Sequence, residues 1–196
     1  MQLLRLFSVP VFIFKFKEHH KYIFPDTDRI DKRPKGWKLS LNSTFPLIPD
    51  DDPLVPKDIR DNLMSDLGNQ ISSNLSEYKI PSVFKFKHFW YNVYHDAQGQ
   101  EPHTHLNGCM SKPPYWCGIY YNKGSTPTTF INPSTVNRIH KFPHDSDDFQ
   151  EILSDTIKPT ITDGDVILFP PYLEHYVELT TCDTMRMTFS FNIILS

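Results

Sequence analysis

Beyond Pro81 the chain reads as a series of strands. Segments 83–94, 116–122, 128–131, 166–169 and 185–195 are rich in aromatic and β-branched residues and are separated by proline, glycine or acidic runs. Such a pattern cannot be buried as a helical bundle and calls for sheets packed face to face or rolled into a barrel. The composition agrees: 17 prolines against 7 glycines, with 14% aromatic residues, suit strands joined by proline-marked turns.

The first 82 residues read differently. From Phe7 to Lys17 the chain is almost continuously apolar, with Val9, Val11 and Ile13 on one face and Phe12, Phe14 and Phe16 on the other, the pattern of a buried strand. Residues 25–56 repeat Asp, Pro and Lys without periodicity and read as a long surface connection carrying no motif. Between Lys57 and Tyr78, Ile59, Leu63, Met64, Leu67, Ile71 and Leu75 recur at helical spacing. Pro56 stands at the first turn, Asp58 near the positive end of the helix dipole, and Gly68 is the weak point. The expectation is one domain over 1–196: a strand, connection and supporting helix in 1–82, and a jelly-roll core in 83–196. The fold class is mainly β with helical cover, a helix-backed sandwich or double-stranded β-helix.

Charge narrows the function classes. Twenty basic against 23 acidic residues give a net −3, too weak a field to argue for nucleic acid or an anionic membrane. Asp145 to Glu151 form an acidic run, read as solvated surface rather than a cation site. Cys109, Cys117 and Cys182 are odd in number and lack CxxC spacing, so a reducing cytoplasm fits better than a disulfide framework. The apolar opening MQLLRLFSVPVFIF lacks a small-residue cleavage site and is interrupted by Pro10. No apolar run reaches the ~20 residues of a membrane span. The expectation is a cytoplasmic protein, with a homodimer left open.

His103 and His105 flank Thr104, so in extended chain both imidazoles project to one side and can share an ion. His175 comes at the end of GDVILFPPYLEH, a turn glycine, a buried strand and a proline turn that deliver the histidine to a strand's mouth. In a jelly roll, strands distant in sequence face each other, so the three histidines can converge. With nine histidines in the chain the HxH alone proves little; the layout around His175 makes the case. Three imidazoles on one side of a metal leave positions open, which suits catalysis better than structural zinc.

On the last strand Arg186, Thr188, Ser190 and Asn192 alternate with Met187, Phe189, Phe191 and Ile193. A polar face of this kind suits solvent equally well. Arg186, however, follows His175 by 11 residues, the length needed to return on a neighbouring strand and point into the same barrel. Its guanidinium can grip a carboxylate through two parallel hydrogen bonds, with Thr188 assisting, which makes a site for a dicarboxylate beside the metal.

These motifs resemble those of the Fe(II)/2-oxoglutarate-dependent oxygenases, which carry H-x-D/E, a distal His and an Arg-x-Ser/Thr about ten residues later. Here HTH stands at 103–105, followed by His175 and RMT at 186–188. CGIYYN at 117–122 is similar to the ligand strand of the oxygen-sensing prolyl hydroxylases, which implies that Tyr121 contacts the cosubstrate. The order WYNVY, HTH, GIYYN, FINP, GDVILFPPYLEH, RMTFSFNI is closer still to a small group of 2OG-Fe(II) oxygenases from bacteria and phages, and implies that Asn92 faces the pocket. A phage-encoded member would work in the host cytoplasm. The likeness covers residues 84 to 194, with a fainter one of FSVPVF to the group's opening strand.

The resemblance implies Fe(II), 2-oxoglutarate and O2, and hydroxylation of a peptidyl or small-molecule substrate with release of succinate and CO2. One departure stands out: His105 occupies the position where most of the family has a carboxylate. A third neutral imidazole leaves the metal one unit more positive; with His105 turned away, a two-His site remains. Two alternatives stay open. A three-His cupin dioxygenase needs no 2-oxoglutarate, but its signature expects a glutamate where Cys109 stands and a glycine where Tyr172 stands. The other is a non-catalytic jelly-roll binding module.

Overall fold

The computed structural model describes residues 9–26, 34–106, 113–124, 126–134, 154–179 and 185–196. In chain order the strands are β1 (Phe12–Lys15), β2 (Asn42–Ser43), β3 (Phe84–Tyr94), β4 (Gln100–His103), β5 (Trp116–Lys123), β6 (Thr129–Ile131), β7 (Thr156–Ile157), β8 (Asp165–Phe169), β9 (His175–Val177) and β10 (Arg186–Leu195). One α-helix, α1 (Lys57–Glu77), lies between β2 and β3, and a 3-10 turn spans His19–Lys21. Six strands form a large sheet in the order β1-β8-β5-β10-β3-β2, and four form a small sheet in the order β4-β9-β6-β7. All these strand pairings are antiparallel. The result is a double-stranded β-helix with a helix against its outer face.

Alternation along the strands sorts side chains between two cores. Met187, Phe189, Phe191 and Ile193 of β10 join Leu63, Leu67, Ile71 and Leu75 of α1 in the first. These helical residues recur every fourth position, so they form one stripe, and all four are buried. Each such burial is worth roughly 1.5–3 kcal/mol. Cys117, Ile119 and Tyr121 of β5 face the other way and pack with Phe130, Ile167 and Phe169 between the sheets. Gly118 leaves room for the ring of its cross-strand partner Phe191: a Cβ there would lie 2.2 Å from Phe191 Cζ. Gly164 makes the turn into β8 with φ 87°.

The expected C-terminal strands, the helix and the β-rich class are all present. Three details differ. The opening strand is shorter than 7–17, lies at a sheet edge against β8, and leaves Val11 and Ile13 exposed rather than buried. Its residues before Val9 lie outside the described segments. The stretch 25–56 is not merely a surface connection: Leu41, Ile48 and Val55 are buried, and β2 pairs with Asn92 and Val93 of β3. Finally, His103 and His175 lie on adjacent strands of the small sheet, whereas Arg186 comes from the opposite sheet rather than a neighbouring strand. The acidic run 145–151, Cys109 and Cys182 lie outside the described residues. Among the described residues no helix is long and apolar enough to cross a membrane.

Candidate active site

β4 and β9 pair so that His103 lies directly opposite His175. His105, two residues past the end of β4, is fixed by its backbone N–H donating to Pro171 O at 2.9 Å. The three side chains each offer a ligand nitrogen, and these atoms all lie within 4.8 Å of one another. Ring centroids are 4.3 Å apart for His103 and His175, 5.2 Å for His105 and His175, and 5.5 Å for His103 and His105.

Each imidazole is held through Nδ1. His103 Nδ1 donates to Glu101 O at 2.9 Å, His175 Nδ1 to Leu173 O at 2.9 Å, and His105 Nδ1 to Asn192 Oδ1 at 2.6 Å. A carbonyl oxygen only accepts, so in each ring the proton sits on Nδ1 and the lone pair on Nε2. That is the tautomer a metal needs, oriented by an outer hydrogen bond. Burial holds all three below the ordinary histidine range, His105 at about 4 and His175 well below normal, its two histidine neighbours adding to the effect. Neutral donors at physiological pH follow.

β10 crosses the pocket on the opposite sheet, and its polar face turns inward: Arg186, Thr188 and Ser190 line the pocket with the three histidines. Solvent is therefore not what this face meets; Arg186 is only 2% exposed. Its Nε donates to Thr126 O at 2.9 Å and Nη2 to Thr128 Oγ1 at 3.3 Å. The guanidinium lies 4.5 Å from the Tyr94 ring centre and 5.3 Å from that of Tyr121. Nη1 is buried with no hydrogen-bond partner among the described residues. A buried cation with an unused donor is costly unless an anion meets it. Asn92 and Trp90 line the same pocket, and Asn92 Oδ1 and Trp90 Nε1 are likewise unpaired and buried. Asn92 Nδ2 donates to Ser190 Oγ at 3.4 Å.

All seven residues singled out in the sequence thus gather around this space, with one difference in placement. Tyr121 sits behind it: its hydroxyl donates to Thr128 Oγ1 at 2.8 Å and accepts from Thr128 N at 3.1 Å, so it braces the residues that hold Arg186. Tyr94 is the tyrosine that lines the pocket; its hydroxyl, pushed up to about 12 by burial, donates to Gln100 Oε1 at 3.1 Å. Sequence reasoning missed Tyr94, Gln100, Thr128 and Trp90, although WYNVY was quoted whole. It also missed Trp37, whose ring centre is 6.4 Å from that of His103 and 5.8 Å from that of Phe45. No periodicity marks Trp37, because it reaches the site from a connection.

The donor set fits a divalent metal with open positions, and the unpaired guanidinium nitrogen fits a carboxylate beside it. Comparison with known proteins points the same way. Residues 88–192 match the family described as "Putative 2OG-Fe(II) oxygenase". No curated protein matches the chain. Among solved structures, HygX from Streptomyces hygroscopicus with nickel and 2-oxoglutarate bound superposes with TM-score 0.57 at 10% identity, over 96% of this chain and 83% of that one. OsALKBH1 gives TM-score 0.56 at 12% identity over 97% and 100%. The α-ketoglutarate-dependent carbocyclase SnoK from nogalamycin biosynthesis gives 0.53 at 11% identity over 81% of this chain, which spans 64% of that protein's length. At these identities the likeness is one of fold.

Proposed function

The chain belongs to the 2OG-Fe(II) oxygenase family, and from that premise we propose that His103, His105 and His175 hold its iron while Arg186, with Thr188 and Asn92, holds 2-oxoglutarate. The enzyme is a dioxygenase that uses Fe(II), 2-oxoglutarate and O2. When bound, iron and 2-oxoglutarate together activate O2, one oxygen atom leaving in succinate as CO2 is released and the other entering the substrate.

The chain's own part is to hold and to exclude. Three neutral imidazoles bind without bringing a proton to the site. Arg186, stacked against Tyr94 and fixed by Thr126 and Thr128, is already aimed and loses little freedom on gripping a carboxylate. Ile119 and Val177 add apolar side chains to the lining. The observation that carries the assignment is the buried Arg186 Nη1, unpaired among the described residues, in the same pocket as the histidine cluster.

The substrate reading is hydroxylation of a peptidyl or small-molecule group. Supporting it, Arg186 is the only Lys, Arg, Asp or Glu side chain lining the pocket among the described residues, and Trp90 and the nearby Trp37 and Phe45 give it aromatic surroundings. Such a site favours an uncharged, carbon-rich target. The buried free thiol of Cys117 suits the reducing cytoplasm. Anaerobic addition of Fe(II) and then 2-oxoglutarate tests the cosubstrate assignment: a visible metal-to-ligand charge-transfer band is expected. Iron binding with no such band would favour the three-His cupin reading, and no metal binding the non-catalytic one.

A further inference from the structure

His103 and His175 are oriented by their own local backbone, since each Nδ1–H is held by the carbonyl two residues earlier, Glu101 O and Leu173 O. His105 has no such local hold. It lies past the end of β4, and its Nδ1–H is taken by a side chain from the other sheet, Asn192 Oδ1 at 2.6 Å. Asn192 is only 2% exposed, and its amide is used at both ends: Nδ2 donates to His88 Nδ1 at 3.2 Å. His88 stands directly opposite Asn192 in the β3–β10 pairing, and the register slips just beyond, between Asn192 and Ile193. Opposed residues share a face, and a bulge beside them re-aims side chains.

We infer that Asn192 is the positioning residue that turns His105 toward the metal, with His88 fixing the Asn192 amide from behind. The inference rests on the reading of the three histidines as metal ligands. The polarity of the relay runs one way. The Asn192 NH2 faces His88, so His88 Nδ1 accepts; the Asn192 oxygen faces His105, so His105 keeps its proton on Nδ1 and its lone pair on Nε2. All three outer acceptors are uncharged, so no carboxylate behind a histidine restores the negative charge absent at position 105. Asn192 thus aims the ligand without making it more basic.

Co(II) titration followed by absorbance tests this, with circular dichroism confirming that each variant is folded. Asn192→Ala is expected to weaken Co(II) binding roughly 10–100-fold, the usual effect of removing an outer hydrogen-bond partner. Because Asn192 acts through His105, the double variant H105A/N192A is expected to bind no more weakly than His105→Ala alone. His88→Leu should weaken binding in the same direction, and His88→Gln, which keeps an acceptor for the amide, should restore it. Asn192→Asp keeps the acceptor but adds charge, so the ligand-field bands should move to higher energy with binding retained. Wild-type affinity in Asn192→Ala, full additivity in the double variant, or unmoved bands in Asn192→Asp would overturn the inference while the metal site stood. Failure of the wild type to bind Co(II) would remove the metal site and the inference with it.

Discussion

His103 lies directly opposite His175 across the β4–β9 pairing, their ring centres 4.3 Å apart. Strand pairing brings the two residues together, and the Glu101 and Leu173 carbonyls orient their rings. Zn(II) or Ni(II) should therefore raise the thermal midpoint, by the equivalent of about 2.7 kcal/mol at a hundredfold excess over the dissociation constant. A chelator should reverse the shift. His175→Ala should abolish it; a full shift in that variant, measured by differential scanning fluorimetry, would mean the ion binds elsewhere.

Arg186 gives a prediction separable from the metal. Replacing it by Leu removes the unpaired Nη1 and leaves the apolar contacts with Tyr94 and Tyr121 partly filled. Hydrogen bonds to a charged group are worth about 1.5–3 kcal/mol, so 2-oxoglutarate affinity should fall roughly 10–150-fold. Metal affinity should not change. Calorimetric titration of 2-oxoglutarate into Ni(II)-loaded wild type and Arg186→Leu reads both quantities. Loss of the metal instead would mean Arg186 supports the fold of the site rather than the cosubstrate.

How far the sequence reaches is clearest at these residues. Alternation on β10 announced Arg186, Thr188, Ser190 and Asn192 as one face, because a period of two is all a strand needs. Alternation alone does not say which way that face points; the 11-residue spacing from His175 argued for the barrel interior, and there the face lies. HTH and the run to His175 were legible because a short turn and a rigid strand leave few other arrangements. Trp37 was not, nor was the anchoring of the connection that bears it: it is held by single hydrogen bonds to a distant carboxylate, and such pairing leaves no periodic trace. Gly68, read as a weak point in the helix, faces the Phe86 ring, where an added Cβ would come within 3.3 Å, a tertiary contact that no local pattern encodes.

That connection supplies the next prediction. The Glu101 carboxylate accepts from Lys38 N at 2.8 Å and Leu39 N at 3.3 Å, while Glu101 O holds His103. Those backbone bonds keep the carboxyl below its ordinary range despite the opposing effect of partial burial. Glu101→Ala should free the segment around Trp37 while leaving the backbone acceptor of His103 in place. Hydrogen exchange at residues 37–41 should accelerate and the environment-sensitive tryptophan emission should change, with metal affinity nearly unaltered. Unchanged exchange there would show that Leu41 burial alone holds the segment.

Two glycines make room for one pair of rings. A Cβ on Gly118 would lie 2.2 Å from Phe191 Cζ and 2.9 Å from Leu168 Cδ2. Phe191 cannot easily withdraw, because it packs edge-on against Phe86 at 5.4 Å and along Phe89 at 6.3 Å. Phe86 in turn meets α1 at Gly68, where a Cβ would come within 3.3 Å of its ring. Gly68→Ala gains helix propensity of about 1 kcal/mol but asks Phe86 to give by a few tenths of an ångström, so its net effect should be small. Gly118→Ala has no such compensation and should cost about 1–3 kcal/mol, the usual penalty of overpacking. Phe191→Leu in the Gly118→Ala background should recover part of that loss, since it shortens the clashing side chain. Urea denaturation of the three variants measures the series; a Gly118→Ala protein as stable as wild type would mean that the Phe191 ring can move aside without cost.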